Sequence, residues 1–140
     1  MSGISSPKAH KKIGVAVISN PKGKILIDRR KSDGEMGGLW EFPGGKIEPG
    51  ETVEECIERE IKEELDIEIT VSDRLTTITH DYQTFTVTLY VHLCQYIRGK
   101  PQPIECEEIQ WVDPFLMNQY QFPQANAKII NLLQQRGIKQ

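Results

Sequence analysis

The stretch Gly45–Ile67, GKIEPGETVEECIEREIKEELDI, decides how this chain is read. Thr52 followed three residues later by Glu55 is a capping box, so a helix starts there and runs to about Leu65. A helix turns by roughly 100° per residue, which converts spacing into faces. With Val53 at zero, Ile57 and Ile61 follow at about 40° and 80°, an inward stripe. Glu60, Glu63 and Glu64 fall at about −20°, −80° and 20°, interleaved with Val53 and Cys56 rather than opposite them. Glu55, Glu58 and Lys62 are left for solvent, where Glu55–Arg59 and Glu58–Lys62 read as ordinary i,i+4 pairs.

Carboxylates on the flank of a core-facing stripe are costly to desolvate and repel one another unless cations neutralise them. A Glu-rich surface helix accounts for Glu54, Glu55 and Glu58 but fails for Glu60, Glu63 and Glu64 on position. A hard divalent cation with oxygen ligands answers the need. Arg59 lies next to Glu63 around the helix and can hold it, while Glu51 enters from just before the N-terminus.

Outward from this helix, Lys12–Ser19 reads as a strand, Asn20-Pro21-Lys22-Gly23 as a turn and Lys24–Arg30 as the hairpin partner. Lys31–Gly38 is a polar loop, and Leu39–Phe42 a short strand running into Pro43-Gly44-Gly45. That glycine pair lets a backbone carbonyl reach a metal or an amide reach a phosphate. A strand is expected over Glu68–Thr79, a turn near His80-Asp81, and a long half-buried strand from Thr84 to Ile97, where apolar Phe85, Val87, Leu89, Val91 and Leu93 alternate with Thr86, Thr88, Tyr90, His92 and Cys94. His92 reads as a solvent-side or satisfied histidine. Ile109–Val112 is a short strand and Ala125–Gln135 a closing helix. The sum is an α/β fold with a mixed β-sheet between two main helices.

At 140 residues and 38% hydrophobic the chain makes one domain, expected over 12–136, after a flexible, solvated N-terminal tail over 1–11 that includes Lys8 and Lys11. A net charge of −3 argues against a nucleic-acid surface. Cys56, Cys94 and Cys106 lack paired metal-ligand spacing, and their odd number fits a reducing cytoplasm. No apolar run approaches the ~20 residues of a membrane span.

Gly45, Glu51 and the run Arg59-Glu60-Ile61-Lys62-Glu63-Glu64 resemble the Nudix box, which has Gly, five of any residue, Glu, seven of any, then Arg-Glu-apolar-x-Glu-Glu-x-Gly-apolar. One position departs: Asp66 stands for the last glycine, where a left-handed residue closes the helix, so the departure touches how the helix ends rather than the acids. The resemblance implies a Nudix α/β/α sandwich, in agreement with the elements above. Leu39–Glu48 (LWEFPGGKIE) and Phe122-Pro123-Gln124-Ala125-Asn126 are similar to segments of MutT-type members, which hydrolyse oxidised guanine nucleotides, notably 8-oxo-dGTP.

That resemblance implies site residues. Glu51, Arg59, Glu60, Glu63 and Glu64 form the catalytic set. The metal ligands are Glu60, Glu63 and Glu64, the Gly44 carbonyl and a loop acid, Glu105, with Glu107 and Glu108 as rivals. Arg30 resembles the arginine on the nucleotide phosphate, Phe42 a wall of the base pocket, and Asn126 the amide facing the oxidised base. Gly45, Lys46, Tyr82 and Phe85 complete the substrate set. Plainer readings stand beside these: a solvated strand end for Arg30, core packing for Phe42, Tyr82 and Phe85, and a helix cap for Asn126. The implied reaction is metal-assisted attack of water on the inner phosphoryl linkage of a nucleoside triphosphate, giving a monophosphate and pyrophosphate, with Glu60 as general base and Glu105 second. Magnesium is the expected cofactor, manganese the substitute, and a monomer acting on a small nucleotide the expected form. Hydrolysis of another nucleotide (a dNTP or dinucleoside polyphosphate) and a non-catalytic lesion-binding module are the alternatives.

Overall fold

The computed structural model describes residues 8–34 and 36–138. Its strands are β1 (Ala9–Ser19), β2 (Ile25–Arg29), β3 (Trp40–Glu41), β4 (Gly44–Lys46), β5 (Glu68–Asp81), β6 (Phe85–Arg98) and β7 (Glu108–Val112). Helix α1 spans Val53–Leu65 and α2 spans Ala127–Ile138, with 3-10 turns at Pro114–Gln119 and Gln124–Asn126. The strands form one seven-stranded sheet in the order β3-β2-β1-β6-β5, with β4 also against β1 and β7 against β2. β1 and β6 run parallel and the remaining pairs antiparallel, so the sheet is mixed.

Successive side chains of a strand point to opposite faces, and β1 is apolar on both. Val15 and Val17 join Ile27, Val91 and Ile129 in the core beneath α2. Ala16 and Ile18 join Leu26, Ile57, Ile61 and Leu65 in the core beneath α1. The result is the expected α/β/α sandwich. α1 lies close to β1 because residue 14 is glycine: a Cβ there would press on Ile57 Cγ1 at 3.1 Å and Cys56 Sγ at 3.2 Å.

Local sequence sets both ends of α1. The Glu55 N–H donates to Thr52 Oγ1 at 3.0 Å, and the Thr52 N–H donates to Glu55 Oε1 at 2.9 Å, closing the capping box. Asp66 takes the left-handed conformation (φ 56°), and its N–H donates to Lys62 O at 3.1 Å.

Tertiary pairing moves several boundaries. β1 begins at Ala9 rather than Lys12, because β6 offers partners to Ala9, His10 and Lys11 in Phe85, Thr86 and Val87. Lys8 and Lys11 therefore do not belong to a solvated tail: Lys8 Nζ donates to Tyr82 O at 2.8 Å, and Lys11 is half-buried. Residues 1–7 of the expected tail lie outside the described residues. β5 runs on to Asp81, which shifts the reversal to residues 82–84, where the Tyr82 N–H donates to Phe85 O at 2.8 Å. The middle of β6 is covered on both faces, since Thr88, His92 and Cys94 are buried as well as Val87, Leu89 and Val91, while its ends are half-buried or exposed as expected. His92 is a satisfied histidine: its Nδ1–H donates to Ser72 O at 2.9 Å and its Nε2 accepts from Arg74 Nε at 3.2 Å. α2 starts at Ala127, not Ala125, and runs past the expected Gln135 to Ile138. Among the described residues no helix is long and apolar enough to cross a membrane.

Candidate active site

One guanidinium organises the outer side of the acidic helix. Arg59 Nε donates to Glu51 Oε2 at 2.6 Å and its Nη2 to Glu51 Oε1 at 2.9 Å, a two-pronged bond. Arg59 Nη1 donates to Glu60 Oε2 at 2.9 Å and to Glu63 Oε1 at 2.8 Å, and Nη2 reaches Lys46 O at 3.2 Å. The Arg59 bond pulls the Glu51 carboxyl down to about 2, and Glu51 in turn drives the guanidinium pKa further up. The expected pair Glu55–Arg59 gives way to this network, as Glu55 is spent on the cap and Lys62 pairs instead with Asp66 at 3.0 Å.

The inner side is different. Among the described residues, Glu64 Oε1 and Asp28 Oδ1 are buried with no hydrogen-bond partner. Burial pushes the Glu64 carboxyl up to about 9, and the charges of Asp28, Glu60, Glu41 and Glu105 add to it. Burial also pushes Asp28 up to about 8, reinforced by Glu41 and opposed by Arg30. Glu60, between the two groups, is raised by burial while Arg59 pulls it back. Burial disfavours the charged form of Glu64 and Asp28, a strain that an arriving cation relieves. Carboxylate oxygens and nearby glycine carbonyls are the donors a hard divalent cation takes. Among the described residues no three acidic, histidine or cysteine side chains yet converge on one point. Glu60 and Glu63 are instead bonded to Arg59.

A cavity of about 330 Å³ opens beside Glu64. One end is formed by Glu64, Glu41, Gly44 and Gly45; its walls are Val15, Phe42, Val87 and Leu89; Lys11, Tyr82, Phe85 and Asn126 also line it. Gly44 is required by close approach of backbone, and Gly45 leaves room for the Glu60 carboxylate. A Cβ on Gly44 would strike the Gly14 carbonyl of β1, and one on Gly45 would strike the Glu60 carboxylate. Phe42 is both core and wall, stacked on Phe122 with centroids 5.4 Å apart. Tyr82 joins the β5–β6 turn to the segment before α2, its Oη accepting the Ala125 N–H at 3.1 Å and its ring 4.9 Å from that of Phe85.

The fold thus brings Arg30, Phe42, Gly44, Gly45, Glu64, Tyr82, Phe85 and Asn126 to one cavity. Arg30 is no solvated strand end, since its Nη1 donates to Glu41 Oε1 at 2.8 Å. Asn126 is buried, and its Nδ2 donates to Pro123 O at 3.4 Å; among the described hydrogen bonds its side chain makes none to the first turn of α2. Lys46 is exposed and does not line the cavity, and its carbonyl accepts from Arg59 and Cys56. Glu63 is half exposed. Of the loop acids, Glu105 acts on both Glu60 and Glu64, whereas Glu108 is paired with Arg29 at 3.0 Å. Sequence reasoning missed Asp28, Glu41 and Lys11. For Asp28 the signal was an acid inside the apolar strand Ile25–Arg29; for Lys11 the signal lies only in the register with β6.

The profile of the NUDIX domain matches residues 14–132. An 8-oxo-dGTP diphosphatase of Escherichia coli K12 is 34% identical over 118 residues, which span 84% of this chain and 92% of that protein. A CTP pyrophosphohydrolase of the same organism is 32% identical over 116 residues, 83% of this chain and 86% of that one. In fold, the crystal structure of a MutT protein from Methanosarcina mazei superposes with a TM-score of 0.84 at 24% identity, covering 95% of this chain and 99% of its own. The matched region holds both faces of the sandwich, the Arg59 network and the cavity end at Gly44 and Gly45, and the chain belongs to the Nudix hydrolase family.

Proposed function

We propose that this chain hydrolyses oxidised purine nucleoside triphosphates, 8-oxo-dGTP foremost, to the monophosphate and pyrophosphate. Nudix hydrolases generally act with divalent cations on small nucleotide substrates. The observation that carries the finer reading is one cavity with unpartnered acid at one end and aromatic walls with a buried amide along it. Such a shape takes a charged polyphosphate and a flat base together. The name of the 34% identical Escherichia coli relative, an 8-oxo-dGTP diphosphatase, points the same way.

Magnesium is our choice of cation, with manganese as its substitute. Glu60 and Glu64, the Gly44 carbonyl and Glu105 would hold it, with Glu63 brought over when Arg59 releases it. A bound divalent cation neutralises phosphate charge and lowers the pKa of water. The chain's own part is orientation and proton transfer. Arg59 fixes Glu60 by a 2.9 Å bond, and burial, with a smaller push from Glu63 and Glu105, raises the Glu60 proton affinity, as a general base requires. Arg30, steadied by Glu41, faces the cavity as the phosphate contact. Asn126 supplies a donor and an acceptor to one base edge. We further propose a monomer that binds no nucleic acid, in the cytoplasm, a compartment supported by three free buried cysteines.

A panel of 8-oxo-dGTP, dGTP, the other dNTPs, a dinucleoside polyphosphate and CTP, assayed with magnesium and with product identification, tests this. The expected result is the highest kcat/KM on 8-oxo-dGTP with pyrophosphate released. A maximum on CTP would move the chain to the activity named for the second relative. Binding without pyrophosphate release would make it a binding module.

A further inference from the structure

Alternate residues of a strand share a face, so Lys11, Ile13 and Val15 all line the cavity from β1. Val15 pairs with Gly44 at the acidic end, and Lys11 pairs with Val87 at the other. At ~3.3 Å per residue, the Lys11 backbone lies roughly 13 Å along the strand from Val15. A nucleotide with its phosphates at the acids extends its base in that direction. Lys12, the next residue, is exposed, so register and not charge brings Lys11 inside.

Lys11 Nζ lies 4.1 Å from the centroid of the Phe85 ring. A cation over an aromatic face is attracted to it, which keeps the ammonium at the cavity wall instead of extended into water. Tyr82 and Asn126 line the same cavity. Because Tyr82 Oη already accepts the Ala125 N–H, its own O–H is left to donate. An ammonium has three donors and no acceptor. This part of the cavity is therefore rich in donors, with the Asn126 amide oxygen as an acceptor.

We infer that Lys11 is a specificity-determining residue that selects nucleotides whose base presents a keto oxygen where an amino base presents NH₂. This rests on the nucleotide-hydrolase reading above. A carbonyl oxygen there accepts a charge-assisted hydrogen bond, while an amino group sets donor against donor. A site built around a hydrogen bond rejects analogues that cannot complete it. The acids and Arg30, at the phosphates, treat all bases alike.

The test uses pairs that differ at this group, UTP against CTP and ITP against ATP, with magnesium and the full chain. Wild type favours the keto member of each pair in kcat/KM. Lys11→Met keeps the length of the side chain and its packing on Phe85 without the charge. It reduces the keto preference by roughly tenfold to a hundredfold, mainly through KM, with an unchanged unfolding midpoint. Lys11→Arg, which also only donates, keeps the preference. An unaltered ratio in Lys11→Met overturns the inference, and so does an equal loss on all four nucleotides, which would mark a phosphate contact or a structural role. A wild type that cleaves none of these, nor 8-oxo-dGTP, overturns the hydrolase reading and this inference with it.

Discussion

The two sides of α1 carry the same kind of side chain under opposite conditions. On the outer side Glu51, Glu60 and Glu63 share Arg59 within 2.9 Å, and Glu51 is held fully ionised. On the inner side Glu64 lies beside Asp28, Glu41 and Glu105, with an unpartnered oxygen and a carboxyl pushed up to about 9. A protein-borne cation completes the first group and makes it part of the scaffold. The second group stays electrostatically unfinished, and a site of that kind gains most when a cation arrives with substrate. Glu60 belongs to both, bonded to Arg59 and raising Glu64, which suits it to the ligand and base roles proposed for it.

Breaking the inner group should have the largest effect, and on activity. Glu64→Gln is expected to lower kcat/KM by about a hundredfold or more, since losing a ligand of the cation forfeits part of the several kcal/mol of charge stabilisation it supplies. The same change should leave the metal-free unfolding midpoint unchanged or raised, since a neutral amide relieves the crowding. Loss of both activity and stability would show that Glu64 is structural.

Breaking the outer group should act on stability first. Arg59→Met strands the poorly exposed carboxylates of Glu51 and Glu60 and should cost about 2 kcal/mol in denaturant unfolding. Added magnesium should narrow the deficit, because the released acids bind it in the folded state. A variant as stable as wild type would mean that solvent replaces the guanidinium.

The next effect depends on pH. Asp28 titrates near 8 in the fold against an ordinary 3.8, so between these values the folded state keeps a proton that the unfolded chain has released. Its contribution to stability is present below about pH 4 and is lost as pH rises toward 8. Asp28→Asn removes that loss, and should gain at least about 1 kcal/mol over wild type at pH 8 with little gain at pH 4. Metal-free denaturant titrations at the two pH values measure it. Equal gains at both would point to packing instead of charge.

The smallest effect lies where α1 ends, outside both groups. Asp66→Gly relieves the left-handed strain but gives up the exposed bond to Lys62, leaving a net gain of about 0.5 kcal/mol and an unchanged rate. Matched denaturant midpoints and kcat would show it, and a changed rate would tie the helix end to the acids.

Much of this was legible without tertiary structure because it is local. The capping box, the apolar stripe of α1, the left-handed residue at Asp66 and the contacts of Arg59 with Glu60 and Glu63 all depend on residues within a turn or two of one another. The residues that match the box are read by their spacing alone. The end of the cavity at Lys11 depends instead on partners far apart in the chain. Lys11 reads as solvated until the parallel register sets it opposite Val87, and Asp28, an acid inside an apolar strand, becomes buried only when β2 is covered by β7 and α1. Tyr82 and Asn126 line one cavity only because the β5–β6 turn reaches the segment before α2. Helical periodicity fixes which way a side chain points along its own element, so the acids were placed by sequence. Strand pairing fixes which elements face one another, so the shape of the pocket and the surroundings of Lys11 and Asp28 were decided only by the fold.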